Sequence, residues 1–324
     1  MTTNSPIEIG LLSYEGAQLS AIHGITDLFL IANQFVLDKP KSIYKPIRVS
    51  HWAQADAGII PSRIFDTMPE CEGKPSVILV PPTLGDPPAS ELVTPYRDWL
   101  RQHHASGGIV ASVCAGAFFL ADTGLLDGRV ATTHWMYEEL LAARYPKVTL
   151  DIDRLIVDDG DIITAGGAMA WTDLGLKILD RFIGPTAMIK TARILLLDPP
   201  GREQSYYSTF SPKMMHGDAA ILKVQHWLQN TEAKDIASGK MANISGLQER
   251  TFQRRFIKAT GMSPSEYCQR LRMGKARELL QFSLLSVENI AWEVGYKDPG
   301  AFRKTFLRVV GLTPSEYRHR FVGS

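Results

Sequence analysis

Over residues 7–190, short apolar runs alternate with amphipathic stretches. The runs at 7–13, 47–53, 76–81, 109–113, 154–158 and 162–165 predict strands. Between several of them, 24–37, 95–105, 115–123, 137–144 and 171–183 place apolar residues at helical spacing and predict helices. Strand-helix alternation on this scale predicts a parallel sheet covered on both faces. Residues 197–213 (LDPPGREQSYYSTFSPK) hold Pro, Gly, Ser and Tyr without a period and read as a linker. From Met214 onward the spacing is helical. The chain therefore divides into an α/β domain over 1–196, a linker over 197–215 and an all-α domain over 216–324.

The all-α part repeats itself. At an offset of 50, TFQRRFIKATGMSPSEY is matched by AFRKTFLRVVGLTPSEY, so that Phe252, Phe256, Gly261 and Pro264 correspond to Phe302, Phe306, Gly311 and Pro314. Matches at a fixed offset mean one structural unit used twice. Each unit reads as helix, turn, helix. In the second, Val287, Ile290, Ala291 and Val294 share a face, and Gly295 can take the left-handed conformation that ends a helix. Tyr296 packs the turn, Asp298 is positioned as an N-cap, and Pro299 suits the first helical turn. In the first unit Met241, Ala242 and Ser245–Leu247 take the corresponding places, before a helix over 248–260. Ser238-Gly239-Lys240 is a poor helix-forming stretch, so the unit's first helix is expected to be weak.

Charge supports a polyanionic partner. The net charge is +1, but 18 of the 35 Lys and Arg lie in residues 213–324 against 10 of the 34 Asp and Glu, a net of +8. Residues 1–212 hold the remaining 17 and 24, a net of −7. Arg250, Gln253, Arg254 and Lys258 surround the first Phe pair, and Arg303, Lys304 and Arg308 the second. Arg and Gln can make bidentate contacts to guanine and adenine edges, and Lys suits phosphates.

Residues 233–321, with IAWEVGYKDPGAFRKTFLRVVGLTPSEYR, resemble the DNA-binding domain of the AraC/XylS family. The resemblance implies two helix-turn-helix units joined by one helix, here 267–281. It places base-reading positions on Arg250, Gln253 and Arg254, and on Pro299, Gly300, Arg303 and Lys304. Pro299 and Gly300 offer little to a base edge, so the second unit is expected to contribute mainly backbone contacts.

In the first part, Cys114 follows the apolar run GGIVAS and precedes a helix. A nucleophile at such a turn is exposed above the sheet, and the helix N-terminus favours a thiolate. His134, twenty residues on, is of the type that ionises such a cysteine. Buried inert Cys and structural His are the competing readings. IVASVCAGAFFLADTGLLDGRVATTHW resembles the DJ-1/PfpI group of the class I glutamine amidotransferase-like superfamily, over roughly residues 7–190. With the C-terminal domain, the chain is similar to the GlxA-type branch of AraC regulators. The resemblance implies a flavodoxin-like sheet with Cys114 at its elbow and a pocket at the carboxyl ends of the strands. The sequence departs from the group's enzymes. Ala21 stands where an acid approaches the cysteine, and Ala115 where related hydrolases have His. Pro81 and Pro82 remove N–H donors from the loop that should build an oxyanion hole.

The expected function is sequence-specific transcription regulation, as an activator responding to a small metabolite. The candidate pocket residues are Gln18, His23, Thr83, Cys114 and His134. His23 also suits a helix-start histidine packed against Trp135. The competing readings are a cysteine-dependent hydrolase or glyoxalase with a DNA-binding tail, and a ligand-free dimerisation platform. No catalytic residue, cofactor or metal is expected: Cys71, Cys114 and Cys268 form neither a disulfide framework nor a zinc cluster. The expected partners are double-stranded DNA, a small-molecule effector and a second copy in a homodimer, with no membrane. MTTNSPIEIG has no basic start and no apolar signal core, which predicts a cytoplasmic protein.

Overall fold

The computed structural model describes residues 5–37, 45–54, 60–198, 203–207, 210, 212, 214, 216–234 and 238–322. The chain forms two compact units, divided after Gln204. That boundary falls inside the predicted linker.

The first unit runs β1 (Ile7–Leu12), α1 (Leu19–Leu37), β2 (Ile47–Ala53), β3 (Ser62–Asp66), β4 (Val77–Val80), α2 (Ser90–Ala105), β5 (Ile109–Val113), α3 (Ala117–Asp122), β6 (Val130–Ala131), α4 (Glu138–Arg144), β7 (Thr149–Leu150), β8 (Ile156–Asp158), β9 (Ile162–Ala165), α5 (Trp171–Ile183) and α6 (Pro185–Ile194). Seven strands form one sheet in the order β3-β2-β1-β4-β5-β9-β8, and β6 pairs with β7 apart from it. The five central strands are parallel, as predicted, and their apolar runs are buried almost throughout. The two edge strands are antiparallel.

Several elements differ from the sequence reading. Strand β3 (SRIFD) escaped it because only part of its side chains are covered and it shows no clean alternation. It is pinned instead by charge. Fully buried Arg48 of β2 donates to Glu8 of β1 at 3.1 Å and to Asp66 of β3, and Arg63 of β3 reaches Glu8 at 2.8 Å. Removing one partner from such a buried set is expected to destabilise by about 3–5 kcal/mol. Helix α2 starts at Ser90 and carries Pro95 within it. Helix α6 was not predicted; Gly184, at φ +92°, stops α5, and Pro185 opens α6 at once.

The second unit contains α7 (Ala219–Asn230), α8 (Ser238–Ser245), α9 (Glu249–Thr260), α10 (Pro264–Phe282), α11 (Val287–Glu293), α12 (Pro299–Val310) and α13 (Pro314–Val322). The stretch predicted to be weak is helical in α8. Two cores result. Phe252 and Phe256 pack with Ile221, Val224 and Tyr267, while Phe302 and Phe306 pack with Ile290, Ala291 and Tyr317. Helix α10 serves both, with Tyr267 and Cys268 in one core and Met273, Ala276 and Leu280 in the other. Arg272 of α10 is 5% exposed; it donates to the carbonyls of Ala233 and Lys234 at 2.8 and 2.9 Å and lies over the Tyr296 ring. It thereby holds the α7–α8 loop and the α11–α12 turn to one helix.

Candidate nucleic-acid interface and cysteine site

Residues at the carboxyl ends of β1, β4, β5 and β9 converge around Cys114, as the geometry of open α/β sheets requires. Cys114 has φ +55°, the strained backbone of a sharp strand-to-helix turn. A 3-10 turn over Cys114–Gly116 leads into α3. Gly116 is needed there: a Cβ on it would stand 2.6 Å from the Val80 carbonyl oxygen at the end of β4. The Thr133 hydroxyl donates to the Cys114 carbonyl at 2.8 Å.

Of the two readings the sequence allows for the thiol, burial favours the inert one. Cys114 is 3% exposed, and burial pushes its pKa up to about 11, although the N–H groups of Ala115 and Gly167 oppose the shift. Burial thus outweighs the turn's N–H groups, and Cys114 holds a neutral thiol at physiological pH. His134 does not ionise it. Its Nδ1 accepts the Met136 N–H at 3.1 Å, capping a short turn, and among the described residues no hydrogen bond joins it to Cys114. Burial lowers the His134 pKa, so the ring stays neutral. Ala21 is fully buried and supplies no acid.

Thr83 lies in a clamped loop. The Tyr14 hydroxyl donates to the Pro81 carbonyl at 2.7 Å and is 3.0 Å from the Thr83 hydroxyl. The Gln18 N–H donates to Pro82 O at 2.8 Å, and the Leu84 N–H to Gly16 O at 3.1 Å. Two prolines and a spent Leu84 N–H leave this loop short of oxyanion donors. Gln18 is 5% exposed; its Nε2 donates to the Ser20 hydroxyl at 2.9 Å and contacts Met169 Sδ, while Oε1 has no partner among the described residues. A buried unpaired amide oxygen is a place for a ligand donor.

His23 stands beside β2. It is exposed, its ring 5.8 Å from His51 on β2, with no ring contact to Trp135. In the sheet order β2 stands three strands from β5, about 14 Å at the usual spacing. The sequence reading missed Tyr14 and Tyr137, both close enough for the Cys114 thiol to raise their pKa values further. Tyr14 was findable, since it follows β1 directly at the binding end of the sheet. A separate groove of about 490 Å³ runs along α5 and α6 and shares no residue with the Cys114 cluster.

In the second unit the two copies match residue by residue. Arg250, Gln253, Arg254 and Lys258 are exposed on α9 opposite Phe252 and Phe256; Arg303, Lys304 and Arg308 are exposed on α12 opposite Phe302 and Phe306. Gly261 and Gly311 end the two helices in the left-handed conformation, at φ +77° and +86°. Gly295 also takes a positive φ, Tyr296 packs on Phe302, and the Asp298 carboxylate caps the Gly300 and Ala301 N–H groups with Pro299 in the first turn.

The outward faces nevertheless differ. Arg250, Gln253, Arg254, Lys258 and Lys304 form no side-chain hydrogen bond or ion pair among the described residues. Arg303 is paired with Glu288, and Arg308 donates to the Gln269 side chain at 2.7 Å. Arg255, half-buried between the two faces, grips Asp218, the N-cap of α7, at 2.7 Å.

Comparison with known proteins agrees with both units. Residues 67–181 match the profile of the DJ-1/PfpI family, and residues 241–320 that of a helix-turn-helix domain. The chain is 26% identical over 205 residues to the HTH-type transcriptional regulator CdhR of Pseudomonas aeruginosa, covering 63% of this chain and 61% of that protein. It is 26% identical over 207 residues to the HTH-type transcriptional regulator GlxA of Rhizobium meliloti, covering 63% of each. The chain thus spans less than two thirds of the length of these relatives. It is also 32% identical over 137 residues to isonitrile hydratase of Pseudomonas putida, covering 42% of this chain and 55% of that enzyme.

Proposed function

We propose that this chain, which joins a DJ-1/PfpI domain to an AraC-type helix-turn-helix domain, is a transcription regulator that binds duplex DNA through α9 and α12 and a small metabolite in its first unit. The observation that carries this reading is the exposed, unpartnered Arg250, Gln253, Arg254 and Lys258 on one face of α9. These are the side chains that read base edges and phosphates. The names of the two regulators point the same way. As an activator in the cytoplasm, the protein would act as a homodimer, whose second half-site adds affinity through effective concentration.

The Cys114 cluster is the proposed effector site, with Gln18, Thr83 and His134 around it and His23 outside it. The positive φ of Cys114 favours the enzyme reading, a cysteine-dependent hydrolase or glyoxalase. Its neutral thiol, the missing acid and the spent loop donors weigh more, and favour sensing over turnover.

The test is selection of duplexes from a random pool by the full chain, followed by titrations at several salt concentrations. Arg254→Ala should weaken the selected duplex by about 1–3 kcal/mol and relax one base position. Lys258→Ala should weaken all duplexes alike and flatten the salt dependence by about one unit of slope. Failure to enrich any duplex, or wild-type discrimination by Arg254→Ala, would sink the reading. A thermal-shift screen with amino acids, quaternary amines and other small metabolites tests the sensing half, because a ligand of the native state raises its melting temperature.

A further inference from the structure

The sequence predicts a linker over 197–215, yet Gln204 is 3% exposed. Its Nε2 meets three acceptors in the first unit: the Thr132 hydroxyl at 3.0 Å, the Thr133 carbonyl at 2.9 Å and the Arg154 carbonyl at 3.0 Å. Its Oε1 accepts the Trp135 N–H at 3.3 Å. Two N–H bonds are thus shared among three oxygens, and the amide is partnered at both ends. Beside it, Glu203 accepts the Leu155 N–H at 3.0 Å. The fit is close: a Cβ on Gly166 would stand 1.9 Å from Gln204 Nε2.

The residues that hold Gln204 also build the cysteine site. Thr133 donates its hydroxyl to the Cys114 carbonyl, His134 and Trp135 follow it, and the Gly167 N–H is directed at the Cys114 sulfur. Gln204 is also the last residue of the first unit. The next residue, Ser205, begins the second unit, where its carbonyl accepts a hydrogen bond from Arg277 of α10.

We propose that Gln204 is a latch whose closure depends on the state of the Cys114 site, so that an occupant of that site frees the segment leading into the helix-turn-helix unit. This rests on the reading of the site as an effector pocket. A ligand that shifts residues 132–135 breaks hydrogen bonds of a buried amide, one that shifts Gly166 disturbs the surface it packs on, and a buried amide with unmade bonds is better released to water. Latched and released states then form a two-state element that the site biases.

The experiment uses the full chain and two variants, and reads the linkage in both directions. Gln204→Glu keeps the shape but replaces donors with a carboxylate facing three oxygens. It should speed alkylation of Cys114 by iodoacetamide at least tenfold, with Cys71 unchanged as the internal control. Gly166→Ala, at a position without positive φ, drives a methyl into the latch from the site's side. It should speed chymotrypsin cleavage after Tyr206 or Tyr207 at least tenfold, with an unchanged circular-dichroism spectrum. Wild-type rates in either folded variant overturn the latch. Should Gln204→Glu fail to fold, Gln204→Ala takes its place with the same expected result. Neither arm contains DNA, so a wild-type chain that binds no duplex overturns the proposed function, while the alkylation and cleavage rates alone decide the latch.

Discussion

Glu288 of α11 holds the guanidinium of Arg303 of α12, whereas Gln253, fifty residues earlier at the same place on α9, has no side-chain partner among the described residues. One outward face is therefore open and the other partly neutralised by its own unit. Gln253→Ala and Arg254→Ala are expected to reduce discrimination between selected and scrambled duplexes by about 1–3 kcal/mol each. Arg303→Ala should cost less than either. Glu288→Ala, which frees Arg303, should tighten binding to all duplexes and steepen the salt dependence by up to about one unit. Anisotropy titrations would expose the error if Arg303→Ala proved as damaging as Arg254→Ala.

The boundary of the helical unit is set by contacts that composition does not reveal. A fragment from His216 looks complete by sequence, since both repeats lie within it. The structure adds Ser205, whose carbonyl is held by Arg277, Tyr206, which lies against Gly311, and Phe210, which packs on Tyr267. A fragment beginning at Ser205 should therefore melt several degrees above one beginning at His216. A difference of about 1 kcal/mol would give roughly 3–6 °C in a domain of this size. Equal melting curves would show that these contacts contribute nothing.

Cys114 should react as a buried neutral thiol. With its pKa pushed to about 11, its alkylation rate should climb steadily to the alkaline limit of the folded protein and show no plateau between pH 7 and 9. The folded thiol holds its proton above the ordinary value of 9.0, so the stability this burial lends is full below pH 9 and lost as pH rises through about 11. Cys114→Ser should fold, and neither protein should show amidase, protease or glyoxalase turnover. Turnover that disappears in the serine variant would establish the enzyme.

His51 carries an acid-side counterpart. Burial, then the neighbouring His23, lowers its pKa from 6.5 to about 4. A depressed folded value means the unfolded chain takes up the proton first. The stability contribution is complete above pH 6.5 and is lost as pH falls through about 4. The loss is on the order of 3 kcal/mol. His51→Gln should flatten the fall in melting temperature over that window, and an unchanged profile would count against the assignment.

What the sequence revealed, and what it hid, follows physical lines. The offset-50 repeat was legible because both copies solve the same packing problem: Phe252 and Phe302, Phe256 and Phe306, Gly261 and Gly311 take matching places. The buried central strands were legible because continuous apolar runs have few other uses. Strand β3 was not, because Asp66 and Arg63 hold it through Arg48 and Glu8, a charge pairing across 58 residues of chain with no local period. At the candidate site, Cys114 and the missing acid at Ala21 could be read from the chain. The thiol's protonation could not, since burial decides it. His23 reaches the carboxyl end of the sheet, but beside His51 on β2, and the position along a helix does not say over which strand a side chain lies. Gln204 was hidden in a segment whose composition says only that it is irregular.

Arg272 has a consequence for the DNA. One buried guanidinium ties residues just before α8 and the turn before α12 to the same helix, which opposes independent movement of the two helix-turn-helix units. The proposed operator would then be read like a gauge with two fixed marks. One inserted base pair between the marks turns the second by about 34° around the duplex, given roughly 10.5 base pairs per turn. A flexible pair of heads would absorb that rotation and bind spacing variants almost equally. A yoked pair would reject them, and spacing would itself become part of the recognised message, through a side chain buried in the helical unit.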